Sequence, residues 1–179
     1  NGHVQAIRIN DGIVTSQSYG ASGIGGGYHH DVVESITING GTINATAYFG
    51  AAIGGGANSE VNKIVINNGS IFASVEGVAF SYSAGIGAGQ NGTCKSVEIN
   101  GGNITSFGFY GAGIGASNSA NCSIINITGG IINSTGNRGA GIGAGAGYNK
   151  FSAVVDSIFI SGGVITAVGI ESAGIGGGY

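Results

Sequence analysis

One pattern, written six times, constrains the fold of this chain more than any other feature. Residues 35–56, SITINGGTINATAYFGAAIGGG, contain two alternating apolar and polar stretches, a glycine turn between them and a glycine-rich end. Closely similar stretches return every 28 to 33 residues along the whole chain. Because so short a repeat cannot bury an apolar face alone, neighbouring copies have to stack on one another. The repeat therefore predicts a solenoid.

Apolar residues recur at fixed positions within each repeat. The repeat opens at Val4, Val33, Val61, Cys94, Cys122 and Val155. Three residues later stand Ile7, Ile36, Ile64, Val97, Ile125 and Ile158, and two residues after these stand Ile9, Ile38, Ile66, Ile99, Ile127 and Ile160. The second stretch carries Val14, Ile43, Ile71, Ile104, Ile132 and Ile165, and the glycine-rich segment carries Ile24, Ile53, Ile86, Ile114, Ile142 and Ile175. A period of two indicates strands, so these columns predict ladders that face inward.

The fold class that follows is all-β, a parallel β-helix or β-solenoid of six coils of 28 to 33 residues, with two or three strands per coil. We expect a right-handed coil, because parallel crossovers overwhelmingly take that hand. Residues 1–179 form a single domain, a segment or protomer of a longer assembly, with coils at about 4–32, 33–60, 61–93, 94–121, 122–154 and 155–179. Additional residues around 74–83 and 143–153 are predicted to be loop insertions.

A polar ladder is predicted at the turn between the two stretches. The residue after the central isoleucine is Asn10, Asn39, Asn67 or Asn100 in the first four copies, then Thr128 and Ser161. Stacked asparagine side chains satisfy backbone groups that a corner leaves free. The next residues are of types that tolerate positive φ, namely Asp11, Gly40, Asn68, Gly101, Gly129 and Gly162. The glycine-rich segment is predicted to be a further corner at which backbones pack closely.

Charge is sparse, and this excludes several classes of function. Charged residues make up 7% of the chain and the net charge is −3, so no basic stripe is available for nucleic acid. No apolar run is long enough to span a bilayer, which predicts no membrane insertion. The glycine-rich segments open no predicted helix and are not followed by Gly-Lys-Ser/Thr. We therefore expect no nucleotide and no other cofactor.

Seven Asn-X-Ser/Thr sequons offer a modification that would supply solubility where charge does not. They stand at Asn44, Asn68, Asn91, Asn103, Asn121, Asn126 and Asn133. The alternation places Asn44 and Asn133 in one outward column, whereas the ladder asparagines lie outside sequons. N-glycosylation needs a surface asparagine in a secreted chain, so the sequons predict covalent N-glycans and a secreted, extracellular or cell-surface location. The alternative is a repeat protein that never meets the glycosylation machinery.

Two cysteines occupy the opening column of adjacent repeats. Cys94 and Cys122 are therefore expected to be neighbours in consecutive coils. One interpretation is a disulfide between the fourth and fifth coils, formed in an oxidising compartment. The other is a pair of small buried thiols that replace valine. No histidine or carboxylate shares their position in the repeat, so no metal site is predicted.

The acidic residues do not form an enzyme signature. Hydrolysis of a polysaccharide needs two carboxylates a few ångströms apart, or carboxylates that hold a cation near a base. Glu34 and Glu60 are the nearest candidates, beside Lys63, and we expect them to be solvated surface charges. The histidines at positions 3, 29 and 30 are expected to be exposed loop residues. We predict no catalytic residue and no enzyme activity.

The repeat with its NGG turn, isoleucine and GAGIGGG end resembles the glycine-rich repeats of secreted or surface-anchored right-handed β-helix proteins, including adhesin-like ones. With its sequons, the chain is similar to glycan-coated extracellular fibrils. If Tyr179 of one copy met Asn1 of the next, Ile175 and Val4 would be eight residues apart, as Ile53 and Val61 are.

The resemblance implies a structural component of an N-glycosylated extracellular filament or cell-surface stalk, stacked end to end with other copies. The alternative is an adhesin or carbohydrate-binding β-helix that uses aromatic residues, Tyr48, Phe49, Phe107, Phe109 and Tyr110.

Overall fold

Nineteen short β-strands in three parallel sheets account for the regular structure of the described residues. The computed structural model describes residues 2–76, 81–147 and 152–179, so Asn1 and parts of both predicted insertions lie outside the described residues. Within these ranges there is no helix, and hence no helix that could cross a membrane.

Each coil contributes strands to all three sheets. Sheet A contains β1 (His3–Val4), β2 (Ile7–Ile9), β5 (Val32–Ile38), β8 (Glu60–Ile66), β11 (Thr93–Ile99), β14 (Asn121–Ile127) and β17 (Val154–Ile160). Sheet B contains β3 (Ile13–Ser18), β6 (Thr42–Ala47), β9 (Ser70–Val75), β12 (Asn103–Gly108), β15 (Ile131–Gly136) and β18 (Val164–Gly169). Sheet C contains β4 (Ile24–Gly25), β7 (Ile53–Gly54), β10 (Ile86–Gly87), β13 (Ile114–Gly115), β16 (Ile142–Gly143) and β19 (Ile175–Gly176).

Strands of the same sheet follow one another in chain order, each paired with the coil before and the coil after. Val97, for example, lies in register with Ile64 on one side and Ile125 on the other. The predicted parallel β-solenoid of about six turns is therefore confirmed, with three sheets and no helix among the described residues. Its hand stays a prediction.

The core is a set of aliphatic ladders enclosed by the three sheets. Ile36, Ile64, Val97 and Ile125 form one column whose members are completely buried. Burying one such side chain contributes about 1.5–3 kcal/mol. The small column of sheet B, which includes Ala45, Ala73, Ser106 and Ser134, is buried as well, so the interior is narrow beside that sheet.

The glycine-rich segments, predicted to form a corner, form a complete third sheet instead. Each strand of sheet C has two residues, an isoleucine and a glycine, and in the first five coils this isoleucine packs in the core. Gly54 has φ of +139°, and a Cβ atom built on it would collide with the carbonyl oxygen of Gly87. Glycine is required here because the backbones of successive coils approach too closely for any side chain.

The turn between sheets A and B has its positive φ one residue later than predicted. The left-handed residues are the glycines that close the turn, Gly12, Gly41, Gly69, Gly102, Gly130 and Gly163, with φ between 90° and 120°. In two coils the preceding side chain accepts the amide hydrogen of this glycine, over 2.8 Å at Asp11 and 2.9 Å at Asn68. This local bond suits Asx residues just before the glycine.

Candidate functional surfaces

A continuous column of side-chain amides runs along the corner between sheets A and B. The Nδ2 atom of Asn39 donates to Oδ1 of Asn10 over 2.8 Å, Asn67 donates to Asn39 over 2.7 Å, and Asn100 donates to Asn67 over 2.8 Å. Thr128 continues the column, its hydroxyl donating to Oδ1 of Asn100 over 2.9 Å. Each amide thus joins the coil before it to the coil after it, which favours in-register stacking.

The sequon asparagines are distributed over sheets A and B and over two corners, while the strands of sheet C contain no asparagine. Asn126 is half-buried between Glu98 and Phe159 of the neighbouring strands. The other six are exposed: Asn44, Asn68, Asn91, Asn103, Asn121 and Asn133. An N-glycan is attached to the side-chain amide, so exposure at these positions allows the modification.

The outward face of sheet B carries the most regular of these positions. Asn44 lies in register with Thr15 on one side and Phe72 on the other. Asn133 lies in the same column, between Thr105 and Thr166. These side chains point away from the core by the alternation of the strands. The face is therefore a surface on which attached sugars would meet solvent and not a neighbouring coil.

Of the two interpretations of Cys94 and Cys122, the structure agrees with the second, a pair of buried free thiols, and contains no disulfide between them. The two residues are register partners on β11 and β14, as expected, and both are buried free thiols. In-register parallel strands hold facing residues about 4.8 Å apart, whereas a disulfide needs its Cβ atoms about 3.8 Å apart. A hydrogen bond with Cys122 and burial raise the pKa of the Cys94 thiol well above its usual range. The pair therefore fills the core as two small buried side chains.

The two lysines of sheet A form ion pairs between neighbouring coils. Nζ of Lys95 lies 2.7 Å from Oε1 of Glu60. Nζ of Lys63, which we expected beside Glu60, lies 2.8 Å from Oε1 of Glu98 instead. The residue in register with Glu60 is Thr93, so the lysine that reaches Glu60 comes from the coil after it. Such exposed pairs contribute little to stability, about 0–1 kcal/mol each.

Glu34 is also engaged by its neighbours. Its carboxylate accepts a hydrogen bond from Nδ2 of Asn62 and lies 3.0 Å from Nε2 of His3. The hydrogen bond from Asn62, followed by the contact with His3, lowers the pKa of Glu34, which favours its ionised form. Among the described residues, no group of three or more His, Cys, Asp or Glu side chains could hold a metal ion.

An open groove of about 260 Å³ lies at the corner between sheets C and A and crosses three coils. Its walls include His30, Asn58 and Asn91, which have φ of 58°, 55° and 53°. The amide of His30 donates to the carbonyl of Asn58 over 3.0 Å, and the amide of Asn58 donates to the carbonyl of Gln90, next to Asn91, over 2.8 Å. Asp31, also in the wall, accepts the amide hydrogen of Gly27 over 3.0 Å. The left-handed residues of this corner are therefore a structural ladder.

The corner between sheets B and C carries two aromatic clusters. In the first, the ring of Tyr19 lies 5.0 Å from that of Tyr48 and 5.6 Å from that of Phe49. The hydroxyl of Tyr48 donates to Oε2 of Glu76 over 2.7 Å, and this bond raises the pKa of Tyr48. The rings are partly exposed along the outside of the solenoid.

The second cluster combines rings with a cation. The ring of Tyr110 lies 4.8 Å from that of Tyr82 and 5.3 Å from that of Phe109. The Arg138 guanidinium carbon lies 4.8 Å from the Tyr110 ring centre, and Nη1 donates to the Tyr110 hydroxyl over 3.0 Å. Glu171 of the next coil forms an ion pair with the same guanidinium, in which Oε2 of Glu171 lies 3.3 Å from Nε of Arg138.

Sequence reasoning found Tyr48, Phe49, Phe109 and Tyr110 but placed Phe107 with them, and that residue lies on the face of sheet B, in register with Ser74 and Thr135. It missed Tyr19, Tyr82 and Arg138. Alignment of the corner residues that follow each second strand could have found Tyr19 and Arg138, because both occupy the segment after sheet B in their coils.

The family comparison agrees with this architecture. The family model described as Beta helix repeat matches six segments of the chain: 7–28, 36–57, 64–90, 97–118, 125–146 and 160–179. Comparisons with the curated proteins and with the solved structures found no match. The segments begin within or at the end of a sheet A strand and include the sheet B and sheet C strands of the same coil. The chain therefore belongs to the beta helix repeat family.

Proposed function

We propose that this chain is a structural component of an N-glycosylated extracellular filament or cell-surface stalk, in which copies stack end to end. The observation that carries the proposal is the in-register stacking of all three sheets, in which the same columns pair from coil to coil. A stack of parallel strands of this kind can be extended by further strands in the same register.

The first and last coils match each other by column. Ile160 belongs to the same column as Ile9, and Ile175 to the same column as Ile24. A second copy can therefore continue all three sheets with the Tyr179 end of one copy against the Asn1 end of the next. Such a head-to-tail contact uses two different surfaces, so it generates an open-ended filament and not a closed dimer.

Sugars on the exposed sequons would hydrate this rod. The chain has few charges, and its sheet B strands carry outward Thr, Ser and Asn residues and no charged residue. Six of the seven sequon asparagines are exposed, on surfaces that the proposed stacking leaves open. In this proposal the core ladders supply stiffness and the N-glycans supply solubility and resistance to proteases.

Electron microscopy of native material tests both parts of the proposal. The expected result is continuous filaments with a strand repeat of about 4.8 Å along the axis and added density at exposed sequons such as Asn44 and Asn133. Mass spectrometry of peptides that contain these asparagines identifies the attached mass independently. Isolated short rods with unmodified asparagines would overturn the proposal.

The second candidate function, carbohydrate binding, is favoured by the aromatic corner. Tyr110 and Phe109 present partly exposed rings beside Arg138 and Glu171, a combination that can stack on a sugar ring and bind its hydroxyl groups. The test is saturable binding to a glycan array by the unassembled chain. Binding that is lost in Tyr110→Ala and kept in Phe72→Ala, a change on the open face of sheet B, would favour this function over the filament.

A further inference from the structure

Exposed apolar side chains are concentrated in the two outermost coils. Of the fifteen exposed large apolar residues among those described, twelve lie in residues 2–31 or 152–179 and three in the coils between. Some of the twelve, such as Ile160, belong to the core columns. Others, such as Ile13 and Val164, face outward by the alternation of sheet B.

The first outward column of sheet B shows the contrast. Ile13 in the first coil is 83% exposed and Val164 in the last coil is 67% exposed, although Val14 and Ile165 beside them pack against the core. In the coils between, this column contains Thr42, Ser70, Asn103 and Ile131. The outermost coils thus carry apolar residues at a position that is mostly polar elsewhere.

We infer that these outward residues form an apolar collar that joins one copy of this chain to the next. The collar consists of Ile13 and Tyr19 on the first coil and Val164 and Ile170 on the last. The inference deepens the proposed filament, on which it rests, because it assigns the residues that hold the junction together and fix its register.

The register follows from the pairing inside the chain. Val164 lies opposite Ile131 of the preceding coil, and Ile13 lies opposite Thr42 of the following coil. A second copy that continues sheet B in the same register places its Ile13 opposite Val164. Facing side chains on neighbouring strands contact one another across about 4.8 Å, so both apolar surfaces lose water in the junction.

Two other pairs of residues are complementary in that same register. Ile170, 62% exposed, meets Tyr19, 68% exposed, at the corner after sheet B. Phe159, 56% exposed on sheet A, meets Arg8 of the next copy, a pair of types that attract through a cation–π contact.

Sheet C fits the same junction. Gly176 keeps φ of +130°, as the other glycines of its column do, although among the described residues no strand lies beyond β19. A second copy would place Gly25 against it, and neither residue has a side chain to obstruct the contact. One partner, a second copy of this chain in one register, thus satisfies sheets A, B and C together.

The first test compares assembly of the wild-type chain, the double variant Ile13→Thr with Val164→Thr, and the single variant Ile131→Thr. Ile131 is the matched control because it is a 53% exposed residue of the same column inside the chain. We expect equal critical concentrations for the wild type and the control, and one about tenfold higher for the double variant. Thermal unfolding below the critical concentration checks that all three chains are folded.

A crosslinking experiment keeps the inference testable if the double variant is unstable. Thr15 and Thr166 share the column next to Ile13 and Val164, so a Thr15→Cys, Thr166→Cys chain treated with a short bismaleimide should yield a covalent ladder of multimers. A Thr15→Cys, Phe159→Cys chain, whose cysteines lie on different sheets, should not.

The outcomes separate the collar from the filament. Wild-type filaments whose critical concentration does not change in the double variant, or that give no ladder from the in-register cysteines, overturn the collar and leave the proposed filament in place. A wild-type chain that forms no filaments at any concentration overturns both.

Discussion

Sheet C and the outward face of sheet B are built by the same coils and obey opposite rules. Every strand of sheet C is an isoleucine followed by a glycine. One outward column of sheet B contains Thr15, Asn44, Phe72, Thr105, Asn133 and Thr166. In sheet C the backbones of successive coils are in contact, so only glycine fits at the second position of each strand. On the outward face of sheet B the side chains face water, so many residue types are accepted. Sheet C therefore maintains the fold, and the outward face of sheet B is available for function.

Substitution of a sheet C glycine should have the largest effect. Gly87 has φ of +136°, and a Cβ atom there would collide with the carbonyl oxygen of Gly115. Gly87→Ala should therefore cost roughly 4 kcal/mol or more in free energy of unfolding, or prevent folding. Circular dichroism during thermal denaturation measures the effect.

Gly20→Ala is the control for that change, because an added Cβ at Gly20 meets no atom within 4 Å. It should alter the free energy of unfolding by no more than about 0.5 kcal/mol. Equal stability of Gly87→Ala and Gly20→Ala would mean that sheet C does not depend on close contact between the backbones of successive coils.

Truncation of a core ladder residue should cause the second-largest loss in free energy of unfolding. Ile99 is completely buried, so Ile99→Ala should cost about 2–5 kcal/mol through lost burial and the cavity that remains. Ile160→Ala removes the same side chain from the same column where it is 41% exposed, and should cost less when the chain is unassembled. Urea denaturation of both variants at low protein concentration gives the comparison, and equal losses would contradict the burial argument.

The amide column at the corner should contribute a smaller amount. Asn67 donates to Asn39 and accepts from Asn100, so Asn67→Ala removes two hydrogen bonds and should cost about 1–2 kcal/mol. Asn68→Ala should cause a smaller loss of free energy of unfolding, because the Asn68 side chain accepts a hydrogen bond from the amide of the next residue, Gly69, and not from another coil. A larger loss for Asn68→Ala in chemical denaturation would show that the column contributes less than the local turn.

The open face should respond least. Thr42 is an exposed residue at the start of a sheet B strand, and its backbone amide hydrogen bond to Gly12 does not depend on its side chain. Thr42→Ala should change the free energy of unfolding by about 0.5 kcal/mol or less. A shift in the thermal midpoint as large as that of Ile99→Ala would show that the outward face of sheet B is as important for stability as the buried residues.

Much of the architecture was readable from the sequence because each position is sampled six times. The alternation around Ile36 and Ile38 predicted the strand, and recurrence of the pattern predicted which residues stack. The same column logic placed Cys94 opposite Cys122 and Asn67 between Asn39 and Asn100. It left open whether a coil has two or three strands, since a two-residue Ile-Gly strand is too short to show a period of two.

The candidate surfaces were less predictable than the core. Lys63 pairs with Glu98 and not with Glu60, because the reach and direction of long side chains decide between two nearby carboxylates. Tyr19 joins Tyr48 and Phe49 because the corner brings consecutive coils together. Such contacts depend on how each corner bends, and the spacing of residues along the chain does not specify that.

The sequence by itself determined the coil, its period and its inward columns, because stacking identical repeats forces equivalent residues into contact. Only the tertiary structure decided that the glycine segments form a sheet, that Cys94 and Cys122 are free thiols, and that apolar side chains gather outside the first and last coils. The physical reason is that these features depend on distances between backbones a few ångströms apart and on which side chains no neighbouring coil covers. Residue type and spacing do not record either quantity.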